Sequence, residues 1–158
     1  AINPIFVIAF APAFAALWVW LGRSGREPGS PYKFGVALVL VGAGFAVLVP
    51  PATFAQGAGL AAPGWLVLAY LLHTWAELAL SPVGLSAMSS LAPARIGGLV
   101  MGVWFLAVAN GNYVGGRLAG LYESMPLPTL FGAVGASAVA CGIVMLLVAG
   151  RLTRLSEA

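Results

Sequence analysis

Glu77 is a carboxylate in a costly place. It sits near the middle of WLVLAYLLHTWAELALSPVGLSAMS, residues 65–89, a stretch long enough to cross a bilayer as a helix. At that depth a carboxylate costs roughly 2.5–3.5 kcal/mol or more unless it faces protein or water. Its helix should therefore turn it toward a polar cavity, where it would hold a proton or a cationic group. The competing reading is a structural tie to another helix, for example through Asn110 or Asn112. His73, one turn earlier, shares roughly the same helix face and is expected to make a polar contact with Glu77. A metal site is not expected, because three or four ligands are needed and the chain has one His and no H-E-x-x-H motif. Nor is a serine nucleophile, since Ser81, Ser86 and Ser89 lie on the same helix as the only His.

Pro82 lacks a backbone N–H, and its ring clashes with the Leu78 carbonyl, so the helix should kink just past Glu77. Ser81, Gly84 and Ser86 are placed to accommodate the freed backbone groups. A kink beside a buried acid suits a helix that bends in gating. Two further candidates stand on other segments. Asn3 precedes Pro4 and puts an amide beside a helix break, and Trp104 lies well inside an apolar run, away from the interface that indoles favour. Arg117 is expected to extend toward the interface. Cys141, in an apolar run, reads as a small buried hydrophobe.

Composition decides the class of element that positions these groups. Of the 158 residues, 61% are hydrophobic and only 7% are charged, far below the ~25% of a soluble domain. The chain reads as one all-α polytopic membrane bundle across 1–158, with five spans near 2–21, 34–54, 65–89, 96–122 and 130–152. The second fades at Pro50-Pro51, and the loop at 22–33 is rich in Gly, Pro and Ser. The net charge of +3 comes from bases clustered in short loops, a pattern of membrane topology and not of nucleic-acid binding.

Arg23, Arg26 and Lys33 fall in the first loop, Arg95 in the third, and Arg151 and Arg154 in the tail; loops two and four carry no base. By the positive-inside rule the C-terminus is cytoplasmic and the N-terminus outside. A chain that opens on Ala1, outside and without a leader, reads as a piece of a longer protein. Small-residue spacings (Gly98-x3-Gly102, Gly111-x3-Gly115, Gly116-x3-Gly120 and Gly132-x3-Ala136) are expected to serve close helix packing.

Several motifs resemble one family. NPIFVI at 3–8, Pro31-x-Lys33-Phe34, ELALSPVGLS at 77–86, LAPAR at 91–95 and MGVWFL at 101–106 are similar to the proton-dependent oligopeptide transporters of the major facilitator superfamily. The resemblance runs nearly end to end and corresponds to helices eight to twelve of a twelve-helix fold. It implies proton-driven uptake of di- and tripeptides by alternating access across the plasma (inner) membrane. It implies no cofactor beyond the coupling proton, and a transporter in place of an enzyme.

By the same resemblance Glu77 helps bind the peptide's amino end and Asn3 contacts its backbone or carboxylate, while Ser81 and Trp104 shape side-chain pockets. The partners implied are small peptides, the bilayer and an absent N-terminal part of the transporter. That part would carry the family's E-x-x-E-R motif and the acidic residue of the seventh helix. Two positions depart from the family's pattern: Ala76 stands where Gly is usual, beside Trp75, and Ser90 where Lys is usual. Two other expectations remain open from the residues: a transporter of another small solute such as nitrate, and a non-transporting membrane subunit or chaperone in which Glu77 is a structural tie.

Overall fold

The computed structural model describes residues 2–91 and 95–156; for residues 58, 81–91 and 154–156 it describes the backbone alone. The chain forms α1 (Ile2–Arg23), α2 (Ser30–Val47), α3 (Val49–Ala58), α4 (Gly64–Leu91), α5 (Gly97–Ala119) with a short 3-10 turn (Gly120–Glu123), and α6 (Leu127–Ser156). No strand occurs among the described residues. Among the described residues, four segments are long and apolar enough to cross a membrane: Ile2–Arg23, Ser30–Gly57, Gly97–Glu123 and Leu127–Thr153. The apolar part of α4 among the residues described with side chains, Gly64–Leu80, is shorter.

The expected ranges fall on these helices, and the second differs internally. The second is two helices, because α2 stops at Val47 and α3 starts at Val49. Prolines at 50 and 51 would drive their rings into the carbonyls of Ala46 and Val47 if α2 continued. The chain instead tightens at Leu48, whose N–H donates to the Phe45 carbonyl at 3.0 Å. Pro50 then occupies the first turn of α3, where a missing N–H costs nothing.

The packing centre is α2. It lies against α6 on one side and α4 on the other, and α1 packs onto α4. The side toward α6 works through glycines. A methyl group on Gly42 would sit 2.6 Å from the Gly135 carbonyl, and one on Gly142 would sit 2.9 Å from the Gly35 carbonyl. Backbones this close gain dispersion contacts and need no large side chains to do so. The side toward α4 is built on alanines: Ala37, Ala76 and Ala79 form the buried cluster. Ala76 thus fills a helix–helix contact.

The other small residues of the expected spacings make no such contact among the described residues. Added methyls at Gly98, Gly102, Gly111, Gly115, Gly116 and Gly120 would meet nothing within 4 Å, so that stripe packs against no described helix of this chain. In α6 the seam is Gly135 and Gly142, two turns apart, and Ala136 is exposed. Cys141 is also exposed, correcting the expectation of burial. Its neighbour Gly142 faces α2, and one residue along a helix turns a side chain by about 100°, away from the seam.

Lys33, expected as a loop base, is instead in the first turn of α2 and only 6% exposed. It pairs with Glu27 and lies 4.3 Å from the centre of the Trp18 ring. The loop folds back over the indole because an ammonium this buried needs both a carboxylate and a π-face.

Candidate functional site

The α1–α4 contact brings together the two polar residues that stood out in the sequence. Asn3 lies in the first turn of α1 and Glu77 in the middle of α4. Asn3 Nδ2 donates to Glu77 Oε2 at 3.3 Å. The orientation of the amide follows from chemistry: an ionised carboxylate only accepts, so the atom facing it must be the nitrogen. Glu77 is exposed.

Thr74 completes the cluster. It is 0% exposed, and its Oγ1 lies 2.6 Å from Asn3 Oδ1 and 2.8 Å from the Tyr70 carbonyl. Threonine in an apolar helix often returns its hydroxyl to the carbonyl four residues back, so nothing in the sequence marked it as part of a site. The signal available was its place: Thr74 is three residues before Glu77, which puts the two on neighbouring positions of one helix face.

The same two helices also meet through aromatic rings. Phe10 meets Trp75 edge to face with ring centres 5.7 Å apart, and Phe6 meets Phe10 at 6.2 Å. Trp75 Nε1 is buried without a hydrogen-bond partner among the described residues.

His73 does not contact Glu77, contrary to expectation. Its Nε2 lies 3.2 Å from the Val41 carbonyl, so Nε2 carries the proton, and its ring meets Phe45 at a tilt of 53° with centres 4.8 Å apart. The absence of a side chain at Gly44 makes room for that ring. Four residues advance a helix by 400°, which turns His73 about 40° from Glu77. That offset aims His73 at α2 while Glu77 faces α1. The tie to Asn110 is also absent: Asn110 Nδ2 donates to the Leu106 carbonyl of its own helix at 3.0 Å.

Trp104 is half-buried, and its ring meets Phe34 of α2 edge to face at 6.5 Å, so its described ring contact is with α2 and not with the triad. Arg117 is exposed in the last turn of α5. Ser81, Pro82 and Gly84 lie outside the residues described with side chains; the helical backbone of α4 runs through all three. Among the described residues, no group of three or more His, Cys, Asp and Glu side chains is placed to hold a metal ion.

This arrangement can bind an ammonium at Glu77 beside an amide that offers both a donor and an acceptor. The chain is 40% identical over 154 residues to an uncharacterized transporter, YclF, of Bacillus subtilis and 39% identical over 160 residues to the peptide transporter YePEPT of Yersinia enterocolitica. Each match covers 98% of this chain and 31% of the relative. A crystal structure of the peptide transporter POT in complex with sulfate superposes with a TM-score of 0.87 at 40% identity, over 98% of this chain and 31% of that one. The chain thus spans about a third of the length of the proteins it resembles. The POT family model matches residues 1–136, and the chain belongs to that family.

Proposed function

We propose that this chain is the C-terminal part, helices eight to twelve, of a proton-coupled symporter for di- and tripeptides. In this reading Glu77 receives the peptide's amino group and Asn3 its backbone or carboxylate. Ser81 and Trp104 shape the side-chain pockets, and Pro82 with Gly84 lets α4 bend. The observation that carries it is the Asn3–Glu77 pair, which sets a carboxylate and an amide side by side on the open face of an apolar bundle. An ammonium suits the first and a peptide group the second.

The remainder of the transporter would supply the other wall of the cavity. Transport would then be the rocking of two bundles about a midplane site. The proton is the coupling ion, and no cofactor is needed. The protein lies in the plasma membrane, with the start of this chain outside and its end in the cytoplasm. What supports that orientation is the set of bases at 23, 26, 33, 95, 151 and 154.

The test is proton-driven dialanine uptake into liposomes by the full-length transporter, intact and as Glu77→Gln. Uptake that collapses in the variant, at equal expression and folding, is the expected result. Undiminished uptake would reduce Glu77 to a structural tie. An intact protein that moves no dialanine under either gradient direction would overturn the peptide reading.

A further inference from the structure

We propose that Thr74 is the positioning residue of this site, coupling the orientation of the Asn3 amide to the charge on Glu77; as a step in transport, this rests on the peptide-symporter reading above. The argument begins with a shortage of protons. Thr74 Oγ1 is within hydrogen-bond distance of two carbonyl oxygens, Asn3 Oδ1 at 2.6 Å and Tyr70 O at 2.8 Å. A hydroxyl has one proton and so serves only one of them at a time.

While Glu77 is ionised, Asn3 must present its NH2 to the carboxylate, which turns Oδ1 toward Thr74. The Thr74 proton then goes to Asn3. When Glu77 carries a proton, it can offer its O–H to the amide, which accepts it by turning over. Oδ1 then accepts from Glu77 and Nδ2 donates to Thr74 Oγ1, which in turn gives its own proton to the Tyr70 carbonyl. The Glu77–Asn3 and Asn3–Thr74 contacts each keep one donor and one acceptor in both states, and the reason is that Thr74 can both give and take. A residue 0% exposed has no water to substitute for that exchange.

The consequence for transport is direct. The face of Asn3 available to a peptide differs with the charge on Glu77, so proton and peptide sense one another through a neutral side chain.

No other charged or titratable group among the described residues is bonded to Glu77. On α1 only Arg23 is charged, at the far end from Asn3. On α2, Tyr32 and Lys33 lie in the first turn, and Lys33 is paired with Glu27. On α5, Tyr113 and Arg117 are exposed. On α4 itself, Tyr70 is partly exposed and His73 is bonded to Val41.

The experiment is acid-induced infrared difference spectroscopy of the purified full-length transporter without peptide. The Glu77 carboxyl band is assigned by its loss in Glu77→Gln and the Asn3 amide band by its loss in Asn3→Ala. In the parent, both bands should change together. In Thr74→Val the Glu77 band should remain while the Asn3 change falls to less than half, and Thr74→Ser should restore it. Thr74→Ala serves if valine prevents folding.

Dialanine uptake, measured alongside, should show KM raised several-fold in Thr74→Val and restored in Thr74→Ser. An Asn3 band that responds equally in the parent and in Thr74→Val overturns the coupling, as does an intact protein whose Asn3 band ignores acidification. Coupled bands in a protein that takes up no dialanine would support the role of Thr74 and instead fault the peptide reading.

Discussion

The ring of His73 on α4 occupies the space that a side chain at position 44 of α2 would need, and its Nε2 donates to the Val41 carbonyl one turn away. The two helices are keyed at this point by a residue and a gap. Gly44→Ala should destabilise the folded protein by about 1–3 kcal/mol, the usual cost of overpacking a tight contact. His73→Ala should also destabilise it, by leaving a void and losing one hydrogen bond. The double variant should be more stable than the sum of the two losses, because each change relieves the other. Thermal unfolding in detergent reads this cycle, and strict additivity would show that the ring and the glycine do not meet.

The α2–α6 seam makes a second prediction. Methyl groups at Gly42 or Gly142 would enter the van der Waals envelope of a facing carbonyl, and a carbonyl in a helix cannot step aside as a flexible side chain can. Gly42→Ala is therefore expected to lower the unfolding temperature clearly. Gly25→Ala, in the α1–α2 turn, should also destabilise, but for a different reason: its φ of 63° is left-handed and nothing lies within 4 Å. Gly25→Asn separates the two causes. Asparagine tolerates that φ and should recover much of the loss, whereas no substitution recovers Gly42.

How much of this was legible beforehand depended on the cost of each residue in its setting. Glu77 and Asn3 announced themselves because a charge or an amide in an apolar segment needs a reason, and the structure puts them 3.3 Å apart. The helices were legible from hydropathy, but the end of α2 at Val47 was not, because the apolar run continues past Pro50-Pro51. Thr74 was not, since a threonine that bonds its own helix costs an apolar segment little and leaves no mark. The choice of seam was equally hidden. The chain holds 21 glycines, and spacing alone does not say which face a neighbour covers. Gly35 and Gly42 pair with Gly142 and Gly135, while the regular spacing in α5 meets nothing. His73 was misjudged because a shared helix face spans enough angle for two residues to address different neighbours.

Lys33 supplies a test of the loop between α1 and α2. The ammonium is 6% exposed, held by Glu27 and by the face of Trp18. Lys33→Gln should cost about 1–2 kcal/mol, below the range for a fully buried pair because half-exposed Glu27 regains water. Lys33→Arg should retain most of the stability, as guanidinium also pairs with carboxylate and stacks on indole. Trp18→Leu should cost a similar amount in the parent and much less in the Lys33→Gln background. Equal costs of Trp18→Leu in both backgrounds would leave the cation–π contact without energetic weight.

Charge at position 3 discriminates between two accounts of the Asn3–Glu77 pair. If Asn3 merely fills space, Asn3→Asp, nearly identical in shape, should transport as the parent does. If the amide donates to the carboxylate, aspartate puts two like charges at about the same 3.3 Å separation and removes the donor. Dialanine uptake by the full-length transporter should then fall further in Asn3→Asp than in Asn3→Ala, chiefly through KM. Raising the salt concentration should do little to rescue it, since charges this close lie well inside the Debye length of ~8 Å at physiological ionic strength.

Orientation is open to a direct chemical measurement. The bases of the 22–33 loop and of the tail place both in the cytoplasm if the positive-inside rule governs. Ser24→Cys and Ala61→Cys lie in the α1–α2 and α3–α4 connections, which the rule assigns to opposite sides. Cys141, exposed on α6 and inside an apolar helix, is removed first by Cys141→Ala. In intact cells a membrane-impermeant maleimide should then label Ala61→Cys and spare Ser24→Cys, with Ser24→Cys labelled only after permeabilisation. The reverse pattern would invert the topology. Labelling of both in intact cells would mean that the segment between them does not cross as α2 requires.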